Sequence, residues 1–422
     1  MNAVGTHDAA IWAVAALATA GVIVQPWRVP AAAWALAGAL ATVLCGLLGA
    51  AAALQAALRG LDVYLFLAGM MLLAELARRE GLFDWLAAWT VRLARGSARR
   101  LFLLVYGVGI VVTVFMSNDA TAVVLTPAVY AVARKCGARP LPYLFACAMV
   151  ANAASFVLPI SNPANLVVFG SQPPPLLDWL RRFALPSLCA VGVTYAVLRR
   201  WFAAELAVKL DTAVAVEAGV PGLSSSARTV AWGLGAVALV MTAASASGRQ
   251  LGAPTLAAAG AVAAVLFIGQ RRSPWPTLRS LSWSVLLLVA GLFVLVRAIE
   301  DTGLVAALAQ GLQAGAAAST AAAAWAGGVA VALLGNPVNN LPAGLLAASL
   351  LSGAHADPTI YNAVMIGIDL GPNLSVTGSL ATILWLEAIR REGDDVSAWS
   401  FLKVGLVAMP AALLPALAAL FI

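Results

Sequence analysis

Apolar runs long enough to cross a lipid bilayer follow one another along the whole sequence. A helix needs about 20 apolar residues to cross about 30 Å of hydrocarbon, because it rises about 1.5 Å per residue. Of the 422 residues, 62% are hydrophobic and 10% are charged, whereas soluble domains carry about a quarter charged residues. The sequence therefore predicts an all-α polytopic membrane protein and excludes an ordinary soluble one.

Ten runs are predicted to be membrane spans, five in each half of the chain. The first lacks a preceding basic segment and a small-residue cleavage site, so we interpret it as a span and not as a signal peptide. A polar stretch over 205–228 separates the halves and is predicted to be a cytoplasmic linker. The spans are expected near Ala10–Gln25, Ala31–Leu54, Leu61–Ala77, Pro142–Gly170, Leu177–Leu198, Thr229–Ser245, Ala253–Gly269, Trp283–Ile299, Tyr361–Leu386 and Phe401–Ile422.

Two further stretches have two apolar arms around a polar tip. They cover 101–132, with SNDAT at Ser117–Thr121, and 320–351, with NPVNNLP at Asn336–Pro342. Two ordinary spans joined by a loop are the alternative interpretation, but a loop that reaches water normally carries more charge. Irregular backbone is tolerated within a membrane where it lines a cavity. The two stretches therefore predict re-entrant hairpins whose tips end inside the membrane.

The two halves align with each other. A shift of 217 residues superposes NAASFVLPISNPANL, which starts at Asn152, on DLGPNLSVTGSLATI, which starts at Asp369. A shift of 221 places the tip residues Asn118 and Asp119 on Asn339 and Asn340. One duplicated unit explains both shifts. We expect repeats over 1–204 and 229–422, each with three spans, a hairpin, a broken helix (142–170 or 361–386) and a last span (177–200 or 401–422).

The basic residues test this topology. An odd number of crossings inverts the second repeat, and the 25 lysines and arginines then fall 20 on one side and five on the other. By the positive-inside rule the rich side is cytoplasmic, so both termini are predicted to lie outside. The net charge of +7 thus reflects topology and does not indicate nucleic-acid binding. The five residues on the poor side are Arg59, Arg181, Arg182, Arg249 and Arg297.

Metal and disulfide chemistry are not indicated. The four cysteines form no CxxC pair, and His7 and His355 are isolated, so no metal site, disulfide framework or cofactor is expected.

Small polar residues at the tips and breaks are the candidate substrate site. Proline removes a backbone donor and glycine permits unusual dihedrals, so the breaks free backbone groups for a ligand. This pattern is typical of an inverted-repeat transporter with a site near the membrane midplane. The predicted substrate-binding residues are Asn118, Asp119, Thr121, Asn152, Ser155, Ser161, Asn162, Asn165, Asn339, Asn340, Asp369, Asn373, Ser375, Thr377 and Ser379.

Asp119 and Asp369 are the acids expected at mid-membrane. An ionisable group in a span is costly and is functional by default, and a buried carboxyl group can take up and release a proton during transport. Either aspartate could instead cap a helix that begins after it. Both are candidates for proton coupling.

Two short segments, Phe83–Ala94 and Leu304–Gln313, precede the hairpins and are too short to span. The first is amphipathic, with Arg92 and Arg95 on its polar side, and is predicted to lie along the membrane surface as an arm that links a moving part to a fixed one.

The motifs resemble one family. IGIDLGPNLSVTGSLATILWL at Ile366–Leu386, VNNLPAGLLAAS at Val338–Ser349 and SNDATAVVLTP at Ser117–Pro127 are similar to the arsenical pump membrane protein family of the ion transporter superfamily. The resemblance implies an elevator-type secondary transporter, not an enzyme, in the cytoplasmic (inner) membrane. It implies proton-coupled export of arsenite or antimonite and association with a soluble arsenite-stimulated ATPase. The family often has an acid at the position of Asn152 and a lysine at that of Asn373; this chain has neither.

The predicted pocket suits the implied substrate. Arsenous acid is neutral near pH 7, so Asn, Ser and Thr groups can hydrogen-bond its hydroxyls. Bonds worth about 1 kcal/mol each would hold it reversibly. The alternative is a sodium-coupled anion carrier or a sodium/proton antiporter of the same superfamily, since the exposed carbonyl and asparagine oxygens could also coordinate Na⁺.

Overall fold

A computed structural model describes residues 5–170, 174–210 and 222–422. Within those ranges the chain forms helices and no named strand, with one isolated bridge between Ser97 and Lys209. The predicted all-α polytopic class is confirmed. Of the predicted linker 205–228, residues 211–221 lie outside the described ranges.

The first half forms eleven described helices. A π-helical turn, Thr121–Leu125, joins α7 to α8, and a 3-10 turn, Pro159–Ser161, lies between α9 and α10. The helices are α1 (Thr6–Val24), α2 (Ala31–Leu44), α3 (Ala50–Arg59), α4 (Leu61–Arg79), α5 (Leu82–Ala94), α6 (Ala98–Phe115), α7 (Asn118–Ala120), α8 (Thr126–Lys135), α9 (Leu141–Ala153), α10 (Pro163–Phe169) and α11 (Leu176–Trp201).

The second half repeats this order. Two 3-10 turns, Gly371–Asn373 and Val376–Gly378, separate α19 from α20. The helices are α12 (Ser225–Ala246), α13 (Gly252–Gln270), α14 (Trp275–Ser280), α15 (Trp283–Asp301), α16 (Leu304–Ala318), α17 (Thr320–Val338), α18 (Asn340–Gly353), α19 (Pro358–Leu370), α20 (Leu380–Arg391) and α21 (Ala398–Ala418).

Seven described helices are long and apolar enough to cross a membrane: α1, α6, α12, α13, α15, α17 and the last helix with its 3-10 end. The count is eight if α3 and α4, which meet at 47°, form one span. The predicted span Ala31–Leu54 is not a single helix: α2 ends at Leu44, and α3 begins at Ala50. Gly46 has a φ of +69°, a left-handed conformation that ends the first helix.

The helices pack into two groups. The lateral bundle contains α1 to α4 and α12 to α15, with close pairs α4–α13 and α2–α15. The hairpin bundle contains α6 to α11 and α17 to α21, with close pairs α17–α19 and α11–α21. The short helices α5 and α16 contact both groups.

The two ends of the lateral bundle are polar. At one end the Asp62 carboxylate accepts a hydrogen bond from the Gly252 amide at 2.8 Å. At the other end Arg272 lies 3.7 Å from Glu80. Helices α4 and α13 therefore run parallel, side by side, with Gly69 packed against the backbone of Leu256. Arg79 also donates to Ser280 at 2.9 Å, so this end gathers arginines that the sequence assigns to the basic side.

Candidate functional site

Each hairpin tip is a capped helix start. In the first, Ser117 Oγ accepts from the Ala120 amide at 3.2 Å, and Asn118 Oδ1 accepts from the Asp119 amide at 2.9 Å. In the second, Asn339 has a φ of +73° and its Oδ1 accepts from the Leu341 amide at 3.4 Å. Ser and Asn are favoured at these positions because they satisfy amides that have no partner within the helix. Both return arms thus start at a residue whose side chain caps the first amides of the helix.

Each broken helix restarts on a cap of its own. Asn162 Oδ1 accepts from the Ala164 amide at 3.0 Å at the start of α10, and Ser379 Oγ accepts from the Thr382 amide at 3.1 Å at the start of α20. Pro163 occupies the first turn of α10, where its missing N–H leaves no bond unmade. Local sequence therefore fixes where each helix breaks and where it begins again.

The two breaks meet each other at the centre. Asn162 Nδ2 donates to Asp369 Oδ1 at 2.7 Å, and Ser379 Oγ donates to Asn152 Oδ1 at 3.4 Å. The 217-residue shift maps Asn152 onto Asp369 and Asn162 onto Ser379, so it converts one hydrogen bond into the other. This exchange is the relation expected of two repeats that pack around a pseudo-two-fold axis.

Asn373 extends this cluster into the first repeat. Asn152 Nδ2 donates to Asn373 Oδ1 at 3.0 Å, and Asn373 Nδ2 donates to the Met149 carbonyl at 3.2 Å. Both asparagines are fully buried. The two side chains are neutral and hydrogen-bonded to each other, so they join the two broken helices without an ion pair.

Asp369 is also fully buried. Its Oδ1 is held by Asn162, while its Oδ2 has no hydrogen-bond partner among the described residues. Ser155 lies beside the carboxyl group and donates its own hydroxyl proton to the Asn152 carbonyl at 2.8 Å. Burying a carboxylate without a cation is costly, so the position of Asp369 requires a functional explanation.

Asp119 lines a small cavity at the first tip. Asn118, Asn162 and Asn340 share the cavity, and Leu67 and Val285 of the lateral bundle also line it. The free space is about 10 Å³, which is about the space needed for one water molecule. The cavity lies where the two bundles meet.

Asn336 organises the second tip and was missing from the predicted site. Its Nδ2 donates to the Ala332 and Gly371 carbonyls at 2.7 and 3.1 Å. Ser375 Oγ donates to its Oδ1 at 2.7 Å, and Thr377 Oγ1 donates to its carbonyl at 3.0 Å. The sequence did contain a signal, because Asn336 precedes Pro337 in the same NPVNNLP motif as Asn339 and Asn340.

The predicted site residues divide into three sets. Asn118, Asp119, Asn162 and Asn340 line the cavity. Asn152, Asp369, Asn373 and Ser379 form the central hydrogen-bonded cluster, with Ser155 beside it. The others bond within the tips and breaks: Thr121 with Thr113, Ser161 with the Val114 carbonyl, Asn165 with the Ser155 carbonyl, Asn339 with the Thr377 carbonyl, and Ser375 and Thr377 with Asn336.

Known proteins share this architecture. The profile of the CitMHS family, described as citrate transporter, matches residues 14–371. The arsenical pump membrane protein of Escherichia coli strain K12 is 26% identical over 362 residues, which cover 83% of this chain and 84% of the relative. An uncharacterized transporter of Mycobacterium tuberculosis strain H37Rv is 27% identical over 372 residues, 86% of this chain and 85% of its own length.

A solved structure is similar as well. The crystal structure of the Alcanivorax borkumensis YdaH transporter, described as having an unusual topology, superposes with a TM-score of 0.56 over 87% of this chain and 86% of that one. Sequence identity is 16%, so this likeness concerns the fold.

Proposed function

The chain belongs to the CitMHS citrate transporter family of membrane transporters, and on that premise we propose that it exports arsenite or antimonite in exchange for protons. The relatives named arsenical pump membrane protein, which align over most of their length, support this choice of substrate. Residues of both repeats would bind the metalloid where the two bundles meet.

The observation that carries the proposal is the chemistry of the central polar cluster. The described polar side chains of this cluster and of the adjacent cavity are amides, hydroxyls and two carboxyl groups, without a lysine, arginine or histidine. A tricarboxylate such as citrate would be repelled by the aspartates and would find no cation among these residues. Neutral arsenous acid can instead exchange hydrogen bonds with amides and hydroxyls as both donor and acceptor.

Asp369 is the proposed proton carrier. A proton on Oδ2 removes the cost of enclosing a carboxylate that has one amide donor and no cation. Loss of that proton on the cytoplasmic side would complete the exchange. Asp119 is the second candidate, because its carboxyl group lines the cavity.

The transport step is proposed to be an elevator movement of the hairpin bundle against the lateral bundle. Leu67 and Val285 of the lateral bundle line the cavity together with residues of the hairpin bundle, so relative displacement of the bundles would change its exposure. Apolar side chains dominate the boundary there, and such surfaces can slide without breaking many polar contacts. Among the residues that the structure describes, one hydrogen bond joins the two bundles, from Ser349 of α18 to Glu300 of α15.

Orientation and partners complete the proposal. We propose that the protein lies in the cytoplasmic (inner) membrane with both termini outside. This orientation is consistent with the positions of the arginines: Arg59 and Arg297 lie beside Glu300 at one end of the molecule, and Arg272 lies beside Glu80 at the other. Association with a soluble arsenite-stimulated ATPase remains a prediction. Protection of a host that lacks any such ATPase would show that the transporter works alone.

Growth of an efflux-deficient host tests the function. The protein is expected to protect against arsenite and antimonite and to leave sensitivity to phosphate and citrate unchanged. Membrane vesicles should then accumulate arsenite when a proton gradient is imposed. A requirement for a sodium gradient would favour the sodium-coupled alternative, and transport of citrate without transport of metalloid would overturn the proposal.

A further inference from the structure

A cavity of about 380 Å³ opens between the start of α6 and the end of α11. Three arginines line it: Arg99 in the first turn of α6, and Arg199 and Arg200 in the last turn of α11. All three belong to the twenty basic residues that the sequence assigns to the cytoplasmic side. We call this cavity the basic groove.

The arginines of the basic groove have no ion-pair partner within 4.0 Å among the described residues. Other arginines of the molecule are paired, such as Arg79 with Glu75 at 2.6 Å and Arg390 with Asp395 at 2.8 Å. Glu205, on the 3-10 turn that follows α11, forms no ion pair with them among the described residues either. Three like charges around one opening repel each other unless an anion lies between them.

The N-terminus of α6 adds to this positive field. Arg99, in the first turn of α6, lines the opening, and a helix dipole favours an anion near the N-terminus of the helix. Ser97 caps only the Arg100 amide, at 3.3 Å. A phosphate group suits such a site, because guanidinium groups bind it with paired, charge-assisted hydrogen bonds.

An apolar cavity of about 480 Å³ continues from the groove. It shares Ala196 and Arg200 with the groove and is lined beyond them by Val197, Trp201 and Val407. Trp201 and Val407 are each 44% exposed on the side of the bundle, and tryptophan is enriched at membrane interfaces. A charged cavity that adjoins an apolar one suits a ligand with a charged head and an apolar tail better than it suits a free anion.

We propose that the basic groove binds the phosphate headgroup of an anionic phospholipid, with an acyl chain lying along Val197 and Val407. Basic pockets between helices on the cytoplasmic side are suited to such headgroups. The bound lipid would lie against α11, which packs on α9 and α21 within the hairpin bundle. The site is separate from the central polar cluster, so it does not depend on the transported substrate.

Native mass spectrometry of the full-length protein tests the site. The purified protein is titrated with phosphatidylglycerol and with phosphatidylcholine of the same acyl chains. The groove variant replaces Arg99, Arg199 and Arg200 with Gln. The control variant replaces Arg134, Lys135 and Arg139 with Gln; these are exposed, are assigned to the same side, lie outside the groove and remove equal charge.

The wild type and the control variant should retain phosphatidylglycerol in preference to phosphatidylcholine, and the groove variant should lose that preference by about tenfold or more. An unchanged preference in the groove variant, or an equal loss in the control, would overturn the site. Displacement of the lipid by equimolar glycerol phosphate would indicate a free-anion site instead. The single variant Arg200→Gln, at the residue common to both cavities, should show an intermediate loss and guards against misfolding of the triple variant.

Discussion

At the scale of single residues, the hydrogen bonds between the two broken helices are equivalent in the two repeats, but the residues that accept them differ in charge. Asn152 and Asp369 occupy equivalent places in the two repeats, and each accepts a hydrogen bond from the other repeat's break. The side chains are similar in size and differ in that only one can hold and release a proton. The two positions are thus equivalent in their hydrogen bonding, and only Asp369, the proposed proton carrier, bears a carboxyl group.

Asp369→Asn should abolish proton-driven export while leaving the fold intact. The amide is isosteric with the carboxyl group and can still accept from Asn162, but it cannot lose a proton. Arsenite accumulation in inverted vesicles is expected to fall by about tenfold or more. The control is Asp357→Asn, an exposed cap of the same helix, because Asn caps a helix as well as Asp does. Full arsenite accumulation by the Asp369 variant would exclude this residue as the proton carrier.

At the scale of helices, packing within a bundle is close, and contact between bundles is looser. Helices α17 and α19 cross at two glycines, where a Cβ atom on Gly367 would lie 2.1 Å from the Gly328 carbonyl oxygen. Backbones can approach this closely only where side chains are absent. The crossing fixes the second hairpin against the second broken helix, so the tip at Asn336 and the break at Gly371 form one unit.

Gly367→Ala should therefore destabilise the protein. The added methyl group meets backbone, which cannot move aside as a side chain can, and overpacking of this kind costs about 1–3 kcal/mol. Thermal unfolding in detergent should occur at a lower temperature than in the wild type. In Gly335→Ala, on helix α17, the new methyl group has no atom within 4 Å, and helix propensity predicts a gain of about 1 kcal/mol. Equal melting temperatures for the two variants would contradict the close crossing.

The contact between α15 and α18 is the place to test relative movement of the bundles. Ser349→Ala removes the hydrogen bond to Glu300 and leaves the packing nearly unchanged. Spin labels on these two helices should report a broader distance distribution and a larger population of separated conformers. Ser352→Ala is the matched control, since Ser352 lies on the same helix and is exposed. Identical distributions in both variants would show that the hydrogen bond does not restrain the bundles.

At the scale of the whole molecule, arginines that the sequence assigns to the same side of the membrane lie at the same end of the lateral bundle. Arg59 and Arg297, which the sequence assigns to the side with few basic residues, both lie beside Glu300. Arg79 and Arg272, assigned to the other side, lie at the opposite end of α4 and α13. Residues that are far apart in sequence but are assigned to the same side by charge counting thus lie at the same end of the bundle.

A reporter fused after Ile422 should be located outside the cytoplasm. Alkaline phosphatase is active only after export, so this fusion should be active, whereas a fusion after Arg200, at the end of α11, should not. Activity in both fusions or in neither would reject the ten-span topology.

Sequence alone determined the class of the protein and the presence of a break in each of the stretches 142–170 and 361–386. Apolar runs, capping residues and proline act over a few residues, so the polar tips at Ser117–Thr121 and Asn336–Pro342 could be predicted locally. The structure then located the helix restarts at Asn162 and Ser379. The stretch expected to be one span, Ala31–Leu54, forms two helices in the structure. The glycines at 46 and 49 lie between them, and Gly46 adopts a left-handed conformation that ends α2.

Only the tertiary structure decided which polar groups meet. The bonds from Asn162 to Asp369 and from Ser379 to Asn152 join residues 207 and 227 positions apart, and no local pattern selects a partner at that distance. Asn336 was overlooked because its role depends on Gly371 and Ser375, which packing brings to it. In a membrane the apolar surface specifies that helices insert, while close packing and the need to satisfy each buried polar group specify how they assemble.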